Sequence, residues 1–425
     1  MTILVFLGTL FAGLAIGLPV AFALIVCGIA LMLYGGNFNA QIVSQQMISG
    51  ANTFTLLAIP FFLLAGELMN AGGLSRRIVA FAVACVGHIR GGLGIVAIFA
   101  AVIMASLSGS AAADSAALAS ILIPMMRDAG YNVPRAAGLM AAGGVIAPVI
   151  PPSIAFIIFG VAANVSITGL FLGGIVPGLM MAMALLVMWL IVARGENVAT
   201  LPRQPGRVRA RAALDATWAL VMPFIILGGI RFGVFTPTEA AVVAAVYALF
   251  VGLVIYRELK LRDLYRVILG AAKTTSVVLF LVAAALVSSW LITRANIPSE
   301  IGRFVSPLIE QPRLLMLVII SLVLVVGTVL DLAPTILILS PVLMPLVIQA
   351  GIDPVYFGVV FVMTTCIGLI TPPVGVVLNV VSGVSRVPMG QVIVGVAPFL
   401  LAQVCVLALL IAFPQIVTVP LEMMR

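Results

Sequence analysis

Charged residues are scarce in this chain of 425 residues: 8% are Asp, Glu, Lys or Arg, whereas 64% are hydrophobic. The mean hydropathy is +1.33. A soluble globular domain has about 25% charged residues, so this composition excludes that class. Apolar runs long enough to cross a bilayer recur along the whole chain, and helices satisfy their own backbone hydrogen bonds in lipid. The sequence therefore predicts an all-α polytopic membrane protein.

The sequence also lacks the motifs and residue clusters that most enzymes depend on. The only histidine, His88, lies in a basic segment, and the four cysteines are widely spaced without a CxxC pair. There is no HExxH motif, no Ser and His pair and no GxxxxGK[ST] phosphate loop. These absences argue against a membrane-embedded enzyme, a metal cluster and a disulfide framework. An ATP-driven permease would need its ATPase on another chain.

Two long apolar segments are each interrupted halfway by a Pro-Pro pair. Residues 134–165 contain Pro151-Pro152, and residues 354–384 contain Pro372-Pro373. Proline has no N–H and clashes with the preceding turn, so we predict that both helices break at mid-depth. Unpaired backbone groups are tolerated there only where they line a cavity or bind something. The two broken helices therefore mark the predicted functional site.

Each predicted broken helix is preceded by an apolar segment that is too long for one span. These segments are residues 91–126 and 314–348, and the first has a turn of small residues, Ser106-Leu107-Ser108-Gly109-Ser110, in its middle. We interpret both as re-entrant helical hairpins. Together with the other apolar runs, they predict about ten spans, two hairpins and two broken helices.

These features occur twice at one offset. The two Pro-Pro pairs are 221 residues apart, and the same offset pairs Pro124 with Pro345. Self-similarity at a fixed offset is typical of an internal duplication. We predict that residues 1–193 form the first repeat, residues 194–214 a cytoplasmic linker, and residues 215–425 the second repeat.

The positive charges predict how the chain lies in the membrane. When the crossings are counted, all but five of the 21 Lys and Arg residues fall on one side. The five on the other side are Arg231, Arg294, Arg303, Arg313 and Arg425. Cytoplasmic loops carry the excess of Lys and Arg, so both termini are predicted to be periplasmic and the second repeat to be inverted. Membrane orientation, rather than nucleic-acid binding, then accounts for the net charge of +8.

Inverted repeats with discontinuous helices are the architecture of secondary transporters. A half-helix that begins at a break offers free N–H groups and its positive dipole end to a carboxylate. A half-helix that ends at a break offers free carbonyls to a small cation. One cavity is thus expected to hold an organic anion together with its coupling ions.

Several motifs together resemble one family, the large membrane subunit of tripartite ATP-independent periplasmic (TRAP) transporters, over nearly the whole chain. They are Ile59-Pro60-Phe61-Phe62, Leu107-Ser108-Gly109-Ser110, Ile150-Pro151-Pro152-Ser153, Phe235-Thr236-Pro237-Thr238-Glu239 and Ile370-Thr371-Pro372-Pro373. The resemblance implies a sodium-driven elevator transporter in the bacterial inner membrane. It also implies two protein partners, a periplasmic substrate-binding protein that delivers an organic acid and a small four-helix membrane subunit.

The sequence also indicates which class of acid is carried and which ion drives its transport. The run Ser-Gly-Ser-Ala-Ala-Ala-Asp at the first hairpin looks closer to the sugar-acid branch, which carries sialic acid or keto-gulonate, than to the C4-dicarboxylate branch. No cofactor is implied, and sodium is the only metal. Proton coupling through Asp114 or Asp331 is the alternative.

We predict two sodium sites, each combining a hairpin turn with the neighbouring break. The first comprises Ser108, Gly109, Ser110, Gly143, Gly144, Ile146 and Pro148. The second comprises Gly327, Thr328, Asp331, Thr364, Thr365, Ile367 and Thr371. Asp331 is the sharpest of these predictions because an ionisable group inside a membrane is costly and usually functional. The alternative is that the small residues only let the helices approach closely.

The substrate site is predicted at Ser108, Ser110, Asp114 and Ser153. Ser153 begins the half-helix after Pro151-Pro152, where its hydroxyl and the helix N-terminus would hold the carboxylate. The alternative for Ser153 is a helix N-cap alone. The alternative for Asp114 is a polar anchor of the hairpin.

Overall fold

The computed structural model describes residues 2–36, 38–195, 202–295, 297 and 308–424. These residues form nineteen α-helices and no β-strand. The first ten are α1 Thr2–Ala15, α2 Val20–Tyr34, α3 Ala40–Ala51, α4 Ala58–Ala71, α5 Leu74–Val86, α6 Gly92–Ser108, α7 Ala111–Asp128, α8 Val133–Gly144, α9 Ile154–Ala163 and α10 Ile167–Ala193. The other nine are α11 Gly206–Arg231, α12 Pro237–Phe250, α13 Leu261–Arg294, α14 Pro312–Gly327, α15 Leu332–Gln349, α16 Pro354–Gly368, α17 Val376–Ser385, α18 Met389–Ala412 and α19 Gln415–Met424. The prediction of an all-α membrane protein is confirmed.

Both predicted breaks are present. The helical ladder stops between α8 and α9, at residues 145–153, and again between α16 and α17, at residues 369–375. Each gap contains its Pro-Pro pair, whose missing N–H groups prevent the helix from continuing. Both Pro-Pro peptide bonds are cis.

Both predicted hairpins form helix–turn–helix pairs, α6 with α7 and α14 with α15. In the first pair, α6 continues to Ser108 and the turn is shorter than the predicted turn at residues 106–110. Gly109 makes this turn with φ of 62°, a left-handed conformation that glycine adopts without steric cost. We call residues 108–110 tip 1 and residues 327–331 tip 2.

Other segments differ from the sequence-based expectations. From the change in charge, the sequence predicts a basic arm at residues 257–266 and a separate span at residues 270–292. In the structure both belong mostly to one helix, α13, of 34 residues. Helix α11 begins at Gly206, inside the predicted linker. The last predicted span is residues 390–413, and a further helix, α19, follows it. The sequence also predicts an arm at residues 298–312, before the second hairpin. Most of this arm, including Arg303, lies outside the described residues, as do linker residues 196–201 and Arg425.

The tips and breaks belong to one group of helices in which the two halves of the chain interlock. The half-helix α9 packs against α15 of the second pair, and the half-helix α17 packs against α7 of the first pair. Helices α8 and α18 cross closely because Gly395 has no side chain: a Cβ there would collide with the carbonyl oxygen of Pro134. Each tip is therefore held by helices from both halves.

A second group of helices lies beside the first. Helix α4 packs against α12 and α13, while α5 packs against α11. At the surface of this group, Arg76 and Arg77 each approach Glu258 at 2.7 Å. The guanidinium carbon of Arg77 lies 3.7 Å from the centre of the Tyr256 ring. These contacts join the two halves of the chain a second time.

Seven of the described helical segments are long and apolar enough to cross a membrane. They are Phe54–Ala71, Ile167–Ala193, Gly206–Arg231, Pro237–Ile255, Leu261–Arg294, Leu332–Gln349 and Met389–Ala412. Several shorter helices are also apolar, among them the half-helices α9, α16 and α17.

Candidate functional site

A cavity of about 180 Å³ lies where the two tips, the two breaks and the second group of helices meet. We call it the central cavity. Its lining residues are Leu63, Gly109, Ser110, Ala111, Ala112, Pro148, Ile154, Ala155, Ile158, Thr274, Val278, Asp331, Leu332, Ala333, Leu369, Val376 and Val377. Among the described residues that line it, Asp331 is the one charged side chain. The cavity is therefore lined by helix termini and hydroxyl groups together with a single carboxylate.

Tip 1 is ordered by a chain of hydrogen bonds. The Ser110 N–H donates to the Ser108 Oγ at 3.2 Å, and the Ser108 hydroxyl donates to the Asp114 Oδ1 at 2.5 Å. The Ser110 Oγ accepts a bond from the Ala113 N–H at 3.4 Å and so caps α7. Ser110 lines the central cavity, whereas Ser108 is turned towards Asp114.

Asp114 lies behind the tip, outside the central cavity. Its side chain is 1% exposed, and its Oδ2 has no hydrogen-bond partner within the described part of the chain. It borders a separate space of about 10 Å³ together with Ser108, Asn70 and Ser75. About one water probe fits a space of that size. The geometry fits the predicted anchor of the hairpin, and the predicted contact with substrate stays a prediction.

The first break begins α9 with a fully buried cap. The Ser153 Oγ accepts a bond from the Phe156 N–H at 3.2 Å and donates to the Pro148 carbonyl at 2.5 Å. Ser153 does not line the central cavity, but Ile154 and Ala155 do. Among the residues that the structure describes, no acceptor bonds the N–H group of either one. Ser153 thus fixes a helix N-terminus whose first two N–H groups are available to an anion.

Of the residues predicted for the first sodium site, Gly109, Ser110 and Pro148 line the central cavity together. Gly109 packs against the break, since a Cβ there would lie 3.0 Å from the Pro152 carbonyl oxygen. The other backbone oxygens of the set already accept hydrogen bonds within the break or from the Ser153 hydroxyl; these are the carbonyls of Gly143, Gly144, Ile146 and Pro148. A carbonyl oxygen has two lone pairs, so the carbonyls of Gly143, Gly144 and Pro148 keep acceptor capacity. The Ile146 carbonyl already accepts two bonds, from the N–H groups of Val149 and Ile150.

The second tip and break are joined by their backbones. Gly368 packs on Gly327 so closely that a Cβ would lie 2.6 Å from the carbonyl carbon of Gly327. The N–H of Gly375 donates to the Thr328 carbonyl at 3.2 Å. This bond ties the start of α17 to tip 2.

The side chains of the predicted second sodium site make separate hydrogen bonds. The hydroxyls of Thr364, Thr365 and Thr371 each donate to a carbonyl four residues earlier, which leaves their oxygens able to accept or coordinate. Asp331 caps α15 by accepting a bond from the Leu332 N–H at 2.8 Å, and it faces the central cavity. No hydrogen bond joins Asp331 to these threonines in the described ranges. The assignment of both groups to one ion stays a prediction.

Two residues of the site were not anticipated. Thr274 of α13 lines the central cavity from the second group of helices. The polar run Lys273-Thr274-Thr275-Ser276 inside a long apolar helix was the available signal. Gly375 was also missed, although a glycine two residues after a Pro-Pro pair is typical of a left-handed turn; its φ is 53°.

Comparisons with known proteins agree with this architecture. Residues 7–416 match the family described as "Tripartite ATP-independent periplasmic transporter, DctM component". The chain is 55% identical over 425 residues to the 2,3-diketo-L-gulonate TRAP transporter large permease protein YiaN of Escherichia coli K12, covering 99% of both chains. It is 41% identical to the sialic acid TRAP transporter large permease protein SiaM of Vibrio cholerae, covering 96% of this chain and 95% of that protein.

One solved structure has a similar fold. The crystal structure of the Alcanivorax borkumensis YdaH transporter, described as having an unusual topology, aligns with a TM-score of 0.62. The alignment covers 87% of this chain and 86% of that chain at 16% sequence identity. At that identity the likeness concerns the fold alone.

Proposed function

This chain belongs to the DctM family of tripartite ATP-independent periplasmic transporters, and we propose that it imports a sugar acid by sodium-coupled symport. The relatives are named as transporter permease proteins, which agrees with a transport role rather than catalysis. The sequence-based expectation of a TRAP large subunit is thereby confirmed at the level of the family.

The central cavity is the observation that supports this proposal most directly. Its lining offers the unpaired N–H groups of Ile154 and Ala155 at the start of α9, which suit a carboxylate. It also contains the carboxylate of Asp331. Two carboxylates in one small cavity repel each other unless a cation or proton lies between them. A cavity built in this way suits an acid that enters together with a cation.

We assign the coupling ions to the two tip-and-break pairs. Sodium prefers oxygen ligands, and each pair supplies backbone carbonyls and hydroxyls. The first ion would lie between tip 1 and residues 143–148, and the second between tip 2 and residues 364–371. Among these predicted ligands, all of them described residues, Asp331 would supply the one full negative charge, which favours sodium over a neutral ligand there.

The substrate assignment rests on relatives and on tip 1. The names of two relatives contain 2,3-diketo-L-gulonate and sialic acid, and both compounds are sugar acids. In the proposed pose, the carboxylate lies at the α9 N-terminus and Ser110 contacts a substrate oxygen. The alternatives are a C4-dicarboxylate as substrate, or a proton in place of sodium.

Two partners complete the proposed cycle. A soluble periplasmic protein delivers the acid, and a small four-helix membrane subunit binds the second group of helices in the inner membrane, with both termini of this chain in the periplasm. We further propose that the interlocked group of tips and breaks moves against the second group as an elevator. The central cavity lies between the two groups, where such a movement would expose it to each side in turn.

Transport by purified protein tests the proposal. The chain, reconstituted in liposomes with its small subunit and its periplasmic binding protein, should accumulate labelled sialic acid or 2,3-diketo-gulonate when a sodium gradient is imposed without ATP. Replacement of external sodium by choline should stop uptake. Uptake that persists in choline and follows a pH gradient would contradict sodium coupling, and uptake of succinate alone would contradict the sugar-acid assignment.

A further inference from the structure

A second cavity, of about 740 Å³, opens where α14, α16, α18 and α19 meet. Helices α14 and α16 begin there, at Pro312 and Pro354, and α18 ends there, at Ala412. The ends of apolar membrane helices lie at the level of the lipid headgroups. This cavity, which we call the helix-end cavity, therefore faces the membrane surface and not the central site.

One wall of the helix-end cavity is apolar and open. Leu314 and Leu317 of α14 line it and are 41% and 49% exposed, and Met316 and Ile352 lie beside them. Exposed leucines on a membrane helix are normally covered by lipid chains. The wall thus offers a surface for one acyl chain to follow along α14.

The mouth of the same cavity carries two opposite charges that do not neutralise each other. Arg313 and Asp353 both line it, both are exposed, and neither has an ion pair with a described residue. The Asp353 Oδ1 accepts a bond from the Tyr356 N–H at 2.7 Å and caps α16, which leaves the second oxygen available. Gln311 and Thr418 add neutral polar groups to the rim.

From this arrangement we propose that the helix-end cavity binds a phospholipid with an ethanolamine headgroup. The guanidinium of Arg313 pairs with the phosphate, for which its planar fork is suited. The carboxylate of Asp353 pairs with the ammonium. One acyl chain lies against Leu314 and Leu317. This inference does not depend on the transport proposal.

Charge complementarity separates this ligand from other occupants. An anionic lipid with a glycerol headgroup would satisfy Arg313 and place its uncharged glycerol beside Asp353. A small soluble ion would satisfy one charge and leave the apolar wall uncovered. A zwitterionic lipid with a primary ammonium satisfies both charges and the wall at once.

The proposed lipid would contact the helix that leads to tip 2. Helix α14 begins at the helix-end cavity and ends at Gly327 in tip 2. A lipid held by Arg313 would fix the outer end of the helix whose other end carries tip 2.

Lipid retention by the purified full chain tests the proposal. Delipidated protein would be mixed with equal amounts of phosphatidylethanolamine and phosphatidylglycerol, and bound lipid would be counted by native mass spectrometry. We expect about tenfold more phosphatidylethanolamine than phosphatidylglycerol, equivalent to about 1.4 kcal/mol. Arg313→Gln should lose both lipids. Asp353→Asn should keep binding but lose the preference, because asparagine caps α16 as well as aspartate does.

A matched variant and a melting curve control for folding. Arg231→Gln removes an exposed arginine at the end of α11, outside the cavity, and should retain lipid like the wild type. All variants should melt within about 2 °C of the wild type, the shift expected for a surface change of this size. Equal retention of both lipids by the wild type, or unchanged retention by a folded Arg313→Gln protein, would overturn the proposal.

Discussion

The two hairpin tips carry the same pair of functional groups in opposite order. In the first pair of helices, the cap of α7 is the hydroxyl of Ser110, and the carboxylate of Asp114 follows one turn later. In the second pair, the cap of α15 is the carboxylate of Asp331, and the hydroxyl of Thr335 follows. The same 221-residue offset relates Ser110 to Asp331 and Asp114 to Thr335.

The exchange matters because the two positions have different surroundings. Both caps line the central cavity, whereas Asp114 and Thr335 are 1% and 0% exposed behind their tips. One carboxylate thus lies in the cavity, and the other is buried behind its tip. Tip 1 presents a neutral surface and tip 2 a charged one, so we expect the substrate carboxylate on the side of tip 1 and the strongest cation site on the side of tip 2.

Neutralising Asp331 should produce the largest effect. We expect Asp331→Asn to raise the sodium concentration for half-maximal transport by at least about tenfold, because the loss of one charged ligand removes about 1.4 kcal/mol or more. Folding should be retained, since asparagine is an equally good N-cap. Uptake measured against sodium concentration in liposomes checks this.

The control is Asp128→Asn, which removes an exposed carboxylate at the far end of α7. Its sodium dependence should match that of the wild type. A normal sodium dependence in Asp331→Asn would mean that the charge in the cavity does not serve the cation and that the difference between the tips has no role in coupling.

The Ser108 and Asp114 side chains should prove energetically coupled. Their bond links a hydroxyl to a buried carboxyl group, and such bonds contribute about 1.5–3 kcal/mol. A double-mutant cycle of Ser108→Ala and Asp114→Ala, read as the free energy of unfolding in detergent, should give a coupling energy of that order.

The second tip supplies the matching cycle. The Thr335 hydroxyl donates to the backbone carbonyl of Asp331, which remains when the side chain is removed. Thr335→Val and Asp331→Ala should therefore be additive within about 0.5 kcal/mol. If both double-mutant cycles gave the same coupling energy, the two tips would not differ in this respect. The side-chain bond at tip 1 would then have no energetic counterpart to distinguish it from tip 2.

The sequence predicted the positions of these features better than their chemistry. The Pro-Pro pairs and small-residue turns located both breaks and both tips, because proline and glycine act on the local backbone. The pattern did not show that Ser153 would be fully buried or that Asp114 would lie outside the central cavity. Those facts depend on packing between residues from distant parts of the chain, such as Gly66 of α4 against Ser108.

The prediction of helix boundaries failed for a different reason. The basic arm and the span within α13 were predicted as separate elements because charge changes between them, yet charged residues such as Arg and Lys are good helix formers. The 34 residues therefore continue as one helix across that change. Thr274 reaches the cavity only because this helix is continuous and packs near tip 2 through α15.

The two breaks differ in one backbone feature: the second has a left-handed turn at Gly375. Its φ is 53°, and a Cβ would lie 2.8 Å from the Leu378 Cδ1, so Gly375→Ala should destabilise the protein by about 1–2 kcal/mol. The equivalent position in the first break is Ile154, which has ordinary helical geometry. Denaturation in detergent would measure the change.

Gly383→Ala is the matched control in the same half-helix. No atom lies within 4 Å of the point that a Cβ would occupy there, so this change should be neutral or stabilise α17 by up to about 1 kcal/mol. If both variants were equally stable, the second break would not need its left-handed residue.

The smallest effect is expected at the first break. Ser153→Ala removes a cap worth about 1 kcal/mol and frees the Pro148 carbonyl that the hydroxyl holds. Because this cap fixes the end of α9 that lines the cavity, we expect the half-saturating substrate concentration to rise about threefold, which corresponds to less than about 1 kcal/mol. Ser166→Ala removes the same kind of cap from α10, outside the central cavity, and should lower the melting temperature without altering half-saturation. Identical half-saturation in both variants would mean that the α9 N-terminus does not hold the substrate carboxylate, and the first break would then serve the cation alone.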